Sequence, residues 1–64
     1  MSVSPAELSS LASTLDELTK RVGTAAAQAQ AAGSEVVATD LYEIERSLTT
    51  AQRRLARILR PGSR

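Results

Sequence analysis

Arginine is concentrated at the C-terminal end of this sequence. The last 19 positions, 46–64, hold six arginines and no acidic residue. Arg46, Arg53 and Arg60 recur every seven residues, which is close to two turns of an α-helix, so on a helix they would form one line. A row of guanidinium groups is suited to the phosphates of a nucleic-acid backbone. The candidate surface for a protein partner or nucleic acid comprises Arg46, Arg53, Arg57, Arg60 and Tyr42.

The overall charge favours a less specific interpretation of these arginines. The net charge is +1 and the isoelectric point about 8.3, whereas dedicated nucleic-acid-binding domains usually exceed about 9. Tyr42 is the only aromatic residue, so bases would have nothing in the row to stack on. Cations near a helix C-terminus are also stabilising on their own account. We therefore expect a solvated helix face, with Glu7 near enough to pair with Arg57 or Arg60, and keep nucleic-acid binding as the alternative.

The other polar residues do not form a recognisable catalytic or metal site. The chain has no histidine and no cysteine, so no serine or threonine hydroxyl has an imidazole to activate it. Asp40, Glu43 and Glu45 are the only acidic cluster, and acids near a helix start are explained by the helix dipole. We predict that the protein is not an enzyme and has no catalytic residues, no cofactor and no metal.

Size and composition set the next limits. A chain of 64 residues is a single domain with a small core, and such domains usually need disulfides, a metal or a partner chain. Because the chain has no cysteine or histidine, oligomerisation is the remaining way to stabilise it. The start of the chain does not resemble a signal peptide, and no apolar run approaches the roughly 20 residues of a membrane span. These features predict a cytoplasmic protein without membrane contact, and seven arginines against one lysine suggest a bacterial source.

Helix-start and helix-stop residues divide the chain into two helices. Ser4 followed by Pro5 is a typical N-cap and first helical residue. Gly33 is suited to a helix C-terminus, and Pro61 cannot continue a helix. Ser34 or Asp40 could cap the second helix, and we favour Ser34 because the two helices then match in length. The predicted all-α domain spans 1–64, with helix 1 at about 5–32, a turn at 33–34, helix 2 at about 35–60 and a tail at 61–64.

Both helices carry an unbroken heptad of apolar residues. The a and d positions are Leu8, Leu11, Leu15, Leu18, Val22, Ala25, Ala29 and Ala32 in the first helix, and Val37, Leu41, Ile44, Leu48, Ala51, Leu55 and Ile58 in the second. The e positions widen both stripes with Ala12, Ala26, Ala38 and Leu59. Two equal helices joined by a short turn fold back antiparallel. A stripe this wide suits three or four packed helices better than two.

The sequence therefore predicts a coiled-coil-like hairpin that dimerises into a four-helix bundle. The expected function is a non-enzymatic, oligomerising protein–protein interaction module, such as a small adaptor or regulatory subunit. The alternatives are nucleic-acid-backbone binding by the arginines of helix 2, and a helical subunit that folds on a larger protein. The predicted oligomer interface comprises Leu8, Leu11, Leu15, Leu18, Val22, Leu41, Ile44, Leu48, Leu55, Ile58 and Leu59.

Overall fold

The computed structural model describes residues 3–60, which form two packed helices. Helix α1 spans Pro5–Ala31 and helix α2 spans Glu35–Leu59. The short connection turns the chain back on itself, and the hairpin measures 45 × 19 × 18 Å. The predicted all-α hairpin is confirmed. Within the described residues neither helix has an apolar stretch long enough to cross a bilayer, and the predicted tail, 61–64, lies outside them.

Helix α1 begins at the capping residue that the sequence indicates. Ser4 has an extended backbone, and its Oγ accepts a hydrogen bond of 3.0 Å from the backbone N–H of Glu7. Pro5 occupies the first turn, where its missing N–H costs nothing. One of the free N–H groups at the helix start is thereby satisfied.

The turn is a Schellman motif centred on glycine. Gly33 has φ 84°, a left-handed conformation that favours glycine over residues with a side chain. The N–H of Ser34 donates to the carbonyl of Ala29 at 2.9 Å, and the N–H of Gly33 donates to that of Gln30 at 3.1 Å. This pair of bonds satisfies the last carbonyls of α1 and reverses the chain within a few residues.

Helix α2 follows immediately. Ser34 is its N-cap residue but makes no side-chain capping bond, while the acid Glu35 lies in the first turn, where the helix dipole favours it. The helix ends at Leu59, and the extended backbone of Arg60 terminates it. The two helices are therefore nearly equal in length, so they contact each other along their whole extent.

The two helices meet along a line that we call the hairpin seam. Its residues are less exposed than their neighbours and recur at alternating spacings of three and four. They are Leu8, Ala12, Leu15, Thr19, Val22, Ala26 and Ala29 in α1, and Ala38, Leu41, Glu45, Leu48, Gln52, Leu55 and Leu59 in α2. Seven of these fourteen residues are large and apolar and the other seven are small or polar, so the helices approach closely but leave every large side chain incompletely buried.

The resulting core is thin. Among the described residues the buried ones are two alanines, Ala26 and Ala38, together with Thr19, and no large side chain is completely buried. The hydroxyl of Thr19 donates to the carbonyl of Leu15 at 2.7 Å, so it has a partner within its own helix. A core of this kind contributes much less than a usual domain core, because burial of large apolar side chains dominates folding free energy.

Candidate interaction surfaces

One side of the hairpin is polar and contains the contacts that fix the helix register. The side-chain amide of Gln52 donates to Asp16 at 3.0 Å, and the hydroxyl of Tyr42 donates to Gln30 at 3.0 Å. In sequence, Asp16, Gln30 and Tyr42 each follow a seam residue by one position. Equal offsets on antiparallel helices lie on the same side of the pair. We call this side the polar face.

Asp16 is the residue on the polar face with a perturbed acidity. The hydrogen bond from Gln52 lowers the pKa of its carboxyl below the ordinary value of 3.8, and the nearby Lys20 ammonium lowers it further. Lys20 forms a salt bridge to Asp16 at 3.3 Å, one turn along the same helix. Both groups are well exposed, so this pair contributes little to stability.

The Glu45 side chain of α2 packs against Gly23 of α1. A Cβ atom added at Gly23 would lie 2.6 Å from an oxygen of the Glu45 carboxylate. Glycine at this position therefore lets the half-buried Glu45 side chain lie across α1. The sequence placed Glu45 only with the acids near the start of α2, so this contact was missed.

Tyr42 lies beside the turn rather than alone on the surface. It lines a cleft of about 290 Å³ together with Gln30, Glu35, Ala38 and Thr39. The cleft is open to solvent and has mixed polar and apolar walls. Tyr42 keeps 38% of its surface exposed while its hydroxyl is bound to Gln30. This hydrogen bond links the two helices near the turn.

The opposite side of the hairpin is apolar and exposed. We call it the apolar face, and its large side chains are Leu11, Leu18, Val37, Ile44 and Ile58. Each precedes a seam residue by one position, so all five lie on the same side of the hairpin, away from the polar face. Each retains between 42% and 65% of its surface exposed. Large apolar side chains are thus aligned along both helices without cover from the hairpin itself.

The predicted interface residues divide between two places in the structure. Those that pack partly buried in the hairpin seam are Leu8, Leu15, Val22, Leu41, Leu48, Leu55 and Leu59. Those exposed on the apolar face are Leu11, Leu18, Ile44 and Ile58. The predicted interface also omitted Val37, whose heptad position was the available signal. Membership of an oligomer interface remains a prediction for all of them.

The arginines of α2 are exposed. They are Arg46, Arg53, Arg54 and Arg57, and Arg60, which directly follows the helix as its C-cap residue, is exposed as well. The salt bridge present among residues 3–60 is the one between Lys20 and Asp16, so the expected pairing of Glu7 with Arg57 or Arg60 is not formed. The structure thus leaves the row Arg46–Arg53–Arg60 open to solvent along α2.

The acids expected at the start of α2 do not assemble into a metal site. Asp40 and Glu43 are exposed, Glu45 lies over Gly23, and the described residues contain no cluster of three potential metal ligands. In comparisons with known proteins, no family model, no curated protein and no solved structure matches this chain. The two faces of the hairpin are therefore the features from which a function can be inferred.

Proposed function

We propose that the protein is a non-enzymatic, oligomerising interaction module, and that its apolar face packs against the same face of a second copy. The product is a four-helix bundle with the arginines and Tyr42 on its outside. The observation that carries this proposal is the alignment of five large, half-exposed apolar side chains on the side of the hairpin opposite its polar contacts.

The hydrophobic free energy favours burial of the apolar face against another protein surface. Complete burial of a leucine or isoleucine side chain contributes about 1.5–3 kcal/mol. With roughly half of each side chain still exposed, the unused contribution is about 1 kcal/mol per residue, and five residues are available in each copy. A hairpin whose buried residues are small gains comparatively little from its own seam. Covering the apolar face would therefore add a large part of the stability that a 64-residue chain needs.

A second copy suits the face because each helix carries both large and small residues along it. In α1, Leu11 and Leu18 lie towards the open end and Ala25 towards the turn. In α2, Ala51 stands between Ile44 and Ile58. A twofold-related copy can set its small residues against the large ones, and an isologous contact uses the same patch twice.

The first test is the solution molar mass, measured by light scattering on a sizing column at low micromolar concentration, together with circular dichroism. We expect about twice the 6.8 kDa of the chain and strong helicity. A monomer with weak helicity would refute self-association and favour the alternative in which the stripe folds on a larger protein. A helical monomer that stays monomeric at high micromolar concentration would refute the need for any cover.

The outward arginines are the remaining surface of the proposed module. Their exposure allows contact with an acidic protein surface or with nucleic acid. Nucleic-acid binding predicts that a fluorescently labelled RNA duplex binds at about 50 mM salt and is released steeply as salt rises. Absence of binding under these conditions would exclude this alternative.

A further inference from the structure

Charge is segregated along α2 more sharply than anywhere else in the hairpin. Residues 35–45 contain four acids and no base, which gives −4, and residues 46–60 contain five arginines and no acid, which gives +5. The turn half of α1, residues 22–32, has no charge at all, and residues 7–21 contain three acids and two bases, or −1. The described helix α2 is thus complementary in charge to a reversed copy of itself.

A twofold dimer through the apolar face, which rests on the proposed function, has two possible arrangements. With the turns at the same end, α2 lies over the α1 of the other copy. Its acidic half then faces the uncharged residues 22–32, and its basic half faces the weakly acidic residues 7–21. With the turns at opposite ends, α2 lies over the other α2 in reverse, so each acidic half faces a basic half.

We propose that the two hairpins pack with their turns at opposite ends, α2 against α2, with Asp40 of each copy beside Arg54 of the other. Asp40, Ser47 and Arg54 are spaced by seven and follow the border of the apolar face on α2. Ser47 is the midpoint of Glu35–Leu59 and lies next to the twofold axis. Residues 40 and 54 are equally far from it in opposite directions, so reversal brings them together.

The apolar residues agree with the same axis. Reversal about the middle of α2 sets Ile44 against Ala51 of the second copy, and Val37 against Ile58, so a large residue meets a small one near the centre. In α1, reversal sets Leu18 against Ala25. Charge and side-chain volume therefore favour the same register of the two α2 helices. The acid–arginine pairs form only with the turns at opposite ends, so they disfavour the arrangement with the turns at the same end.

The decisive measurement is the distance between the two turns. The chain has no cysteine, so Ser34→Cys introduces a single labelling site, and Ser34 makes no side-chain capping bond that the change would remove. With helices of 25 and 27 residues, a rise of about 1.5 Å per residue puts spin labels at opposed turns about 40 Å apart. Turns at the same end would place them within about 20 Å, because packed helices lie about 10 Å apart.

The proposed dimer and the proposed arrangement of its turns can be refuted separately. A monomeric mass refutes the dimer itself, whereas a dimeric mass with a short turn-to-turn distance refutes only this arrangement. A matched site, Ser47→Cys, should oxidise readily to a dimer-spanning disulfide if α2 faces α2. A dimer that does not cross-link there would also contradict the arrangement.

Charge reversal tests the border pair independently of labels. Arg54→Asp or Asp40→Arg alone should weaken dimerisation about tenfold or more, and the double variant should restore most of the loss. Arg57→Asp is the matched control, because Arg57 lies on the outer side of α2, and it should change dimerisation much less. Equal effects of Arg54→Asp and Arg57→Asp, with no rescue in the double variant, would refute the Asp40–Arg54 pairing.

Discussion

The variant that separates the apolar face from the hairpin seam is Ile44→Asp. Ile44 is 48% exposed in the hairpin and lies in the middle of the apolar face. Each copy therefore loses about 1 kcal/mol of burial at the dimer interface. The carboxylate also has to be buried among apolar groups, which costs about 2 kcal/mol or more. Because the twofold axis repeats the defect, dimerisation weakens by about 6 kcal/mol, or roughly 10⁴-fold in the dissociation constant.

The assay is sedimentation equilibrium combined with circular dichroism over a range of concentrations. Thr50→Asp is the matched control, because it also replaces a β-branched residue of α2 by aspartate, at an exposed position on the side facing away from α1. We expect the control to remain a dimer, whereas Ile44→Asp is monomeric and loses helicity at low micromolar concentration. Equal behaviour of the two variants, or a dimer retained in Ile44→Asp, would refute the assignment of this face.

Three further predictions concern the polar face and the arginines. The lowered pKa of Asp16 means that folding favours its ionised form. Its small contribution to folding stability is therefore present above the ordinary pKa of 3.8 and is lost as the pH falls through the lower pKa of the folded state. Gln52→Ala should move that pKa back upward in a carboxyl NMR titration, and an unchanged pKa would contradict the hydrogen bond. Gly23→Ala should raise the free energy of unfolding by less than the roughly 1 kcal/mol expected from helix propensity, because Glu45 has to move. The full gain should appear only in the Glu45→Ala background. Equal gains in the two backgrounds, measured by urea unfolding, would argue against the contact. Simultaneous replacement of Arg53, Arg57 and Arg60 by alanine should shift Tm by only a few degrees, since exposed charges contribute little to stability. A large loss of Tm would indicate that these arginines have a structural role.

The helices could be predicted from sequence because their boundaries depend on local chemistry. Ser4 and Pro5 begin α1, and Gly33 ends it, through bonds and dihedral angles confined to a few residues. None of these interactions requires knowledge of the tertiary structure. Ser34 makes no side-chain capping bond, and the start of α2 was indicated instead by the matching lengths that Ser34 gives the two helices.

The line along which the helices meet was harder to predict. A stripe that includes a, d and e positions contains two overlapping 3–4 patterns, and periodicity alone does not choose between them. The hairpin follows the pattern through Ala12, Ala26 and Ala38, which lets the backbones approach closely. Five of the eleven large a and d residues, such as Leu18 and Ile44, are consequently turned to the outside. Side-chain size decides which of the two patterns forms the seam, and its effect becomes visible only when the two helices are placed against each other.

The same choice of seam indicates why folding and association should be coupled in this protein. Half of the seam residues are small or polar, and five large apolar side chains lie instead on the face that a second copy would cover. The free energy of the dimer would then include most of the hydrophobic contribution, and the isolated hairpin would be marginal. For such a system the melting temperature rises with protein concentration, since mass action favours the associated state. A Tm that stays constant over a hundredfold range of concentration, with a cooperative transition, would show instead that the thin seam is sufficient by itself.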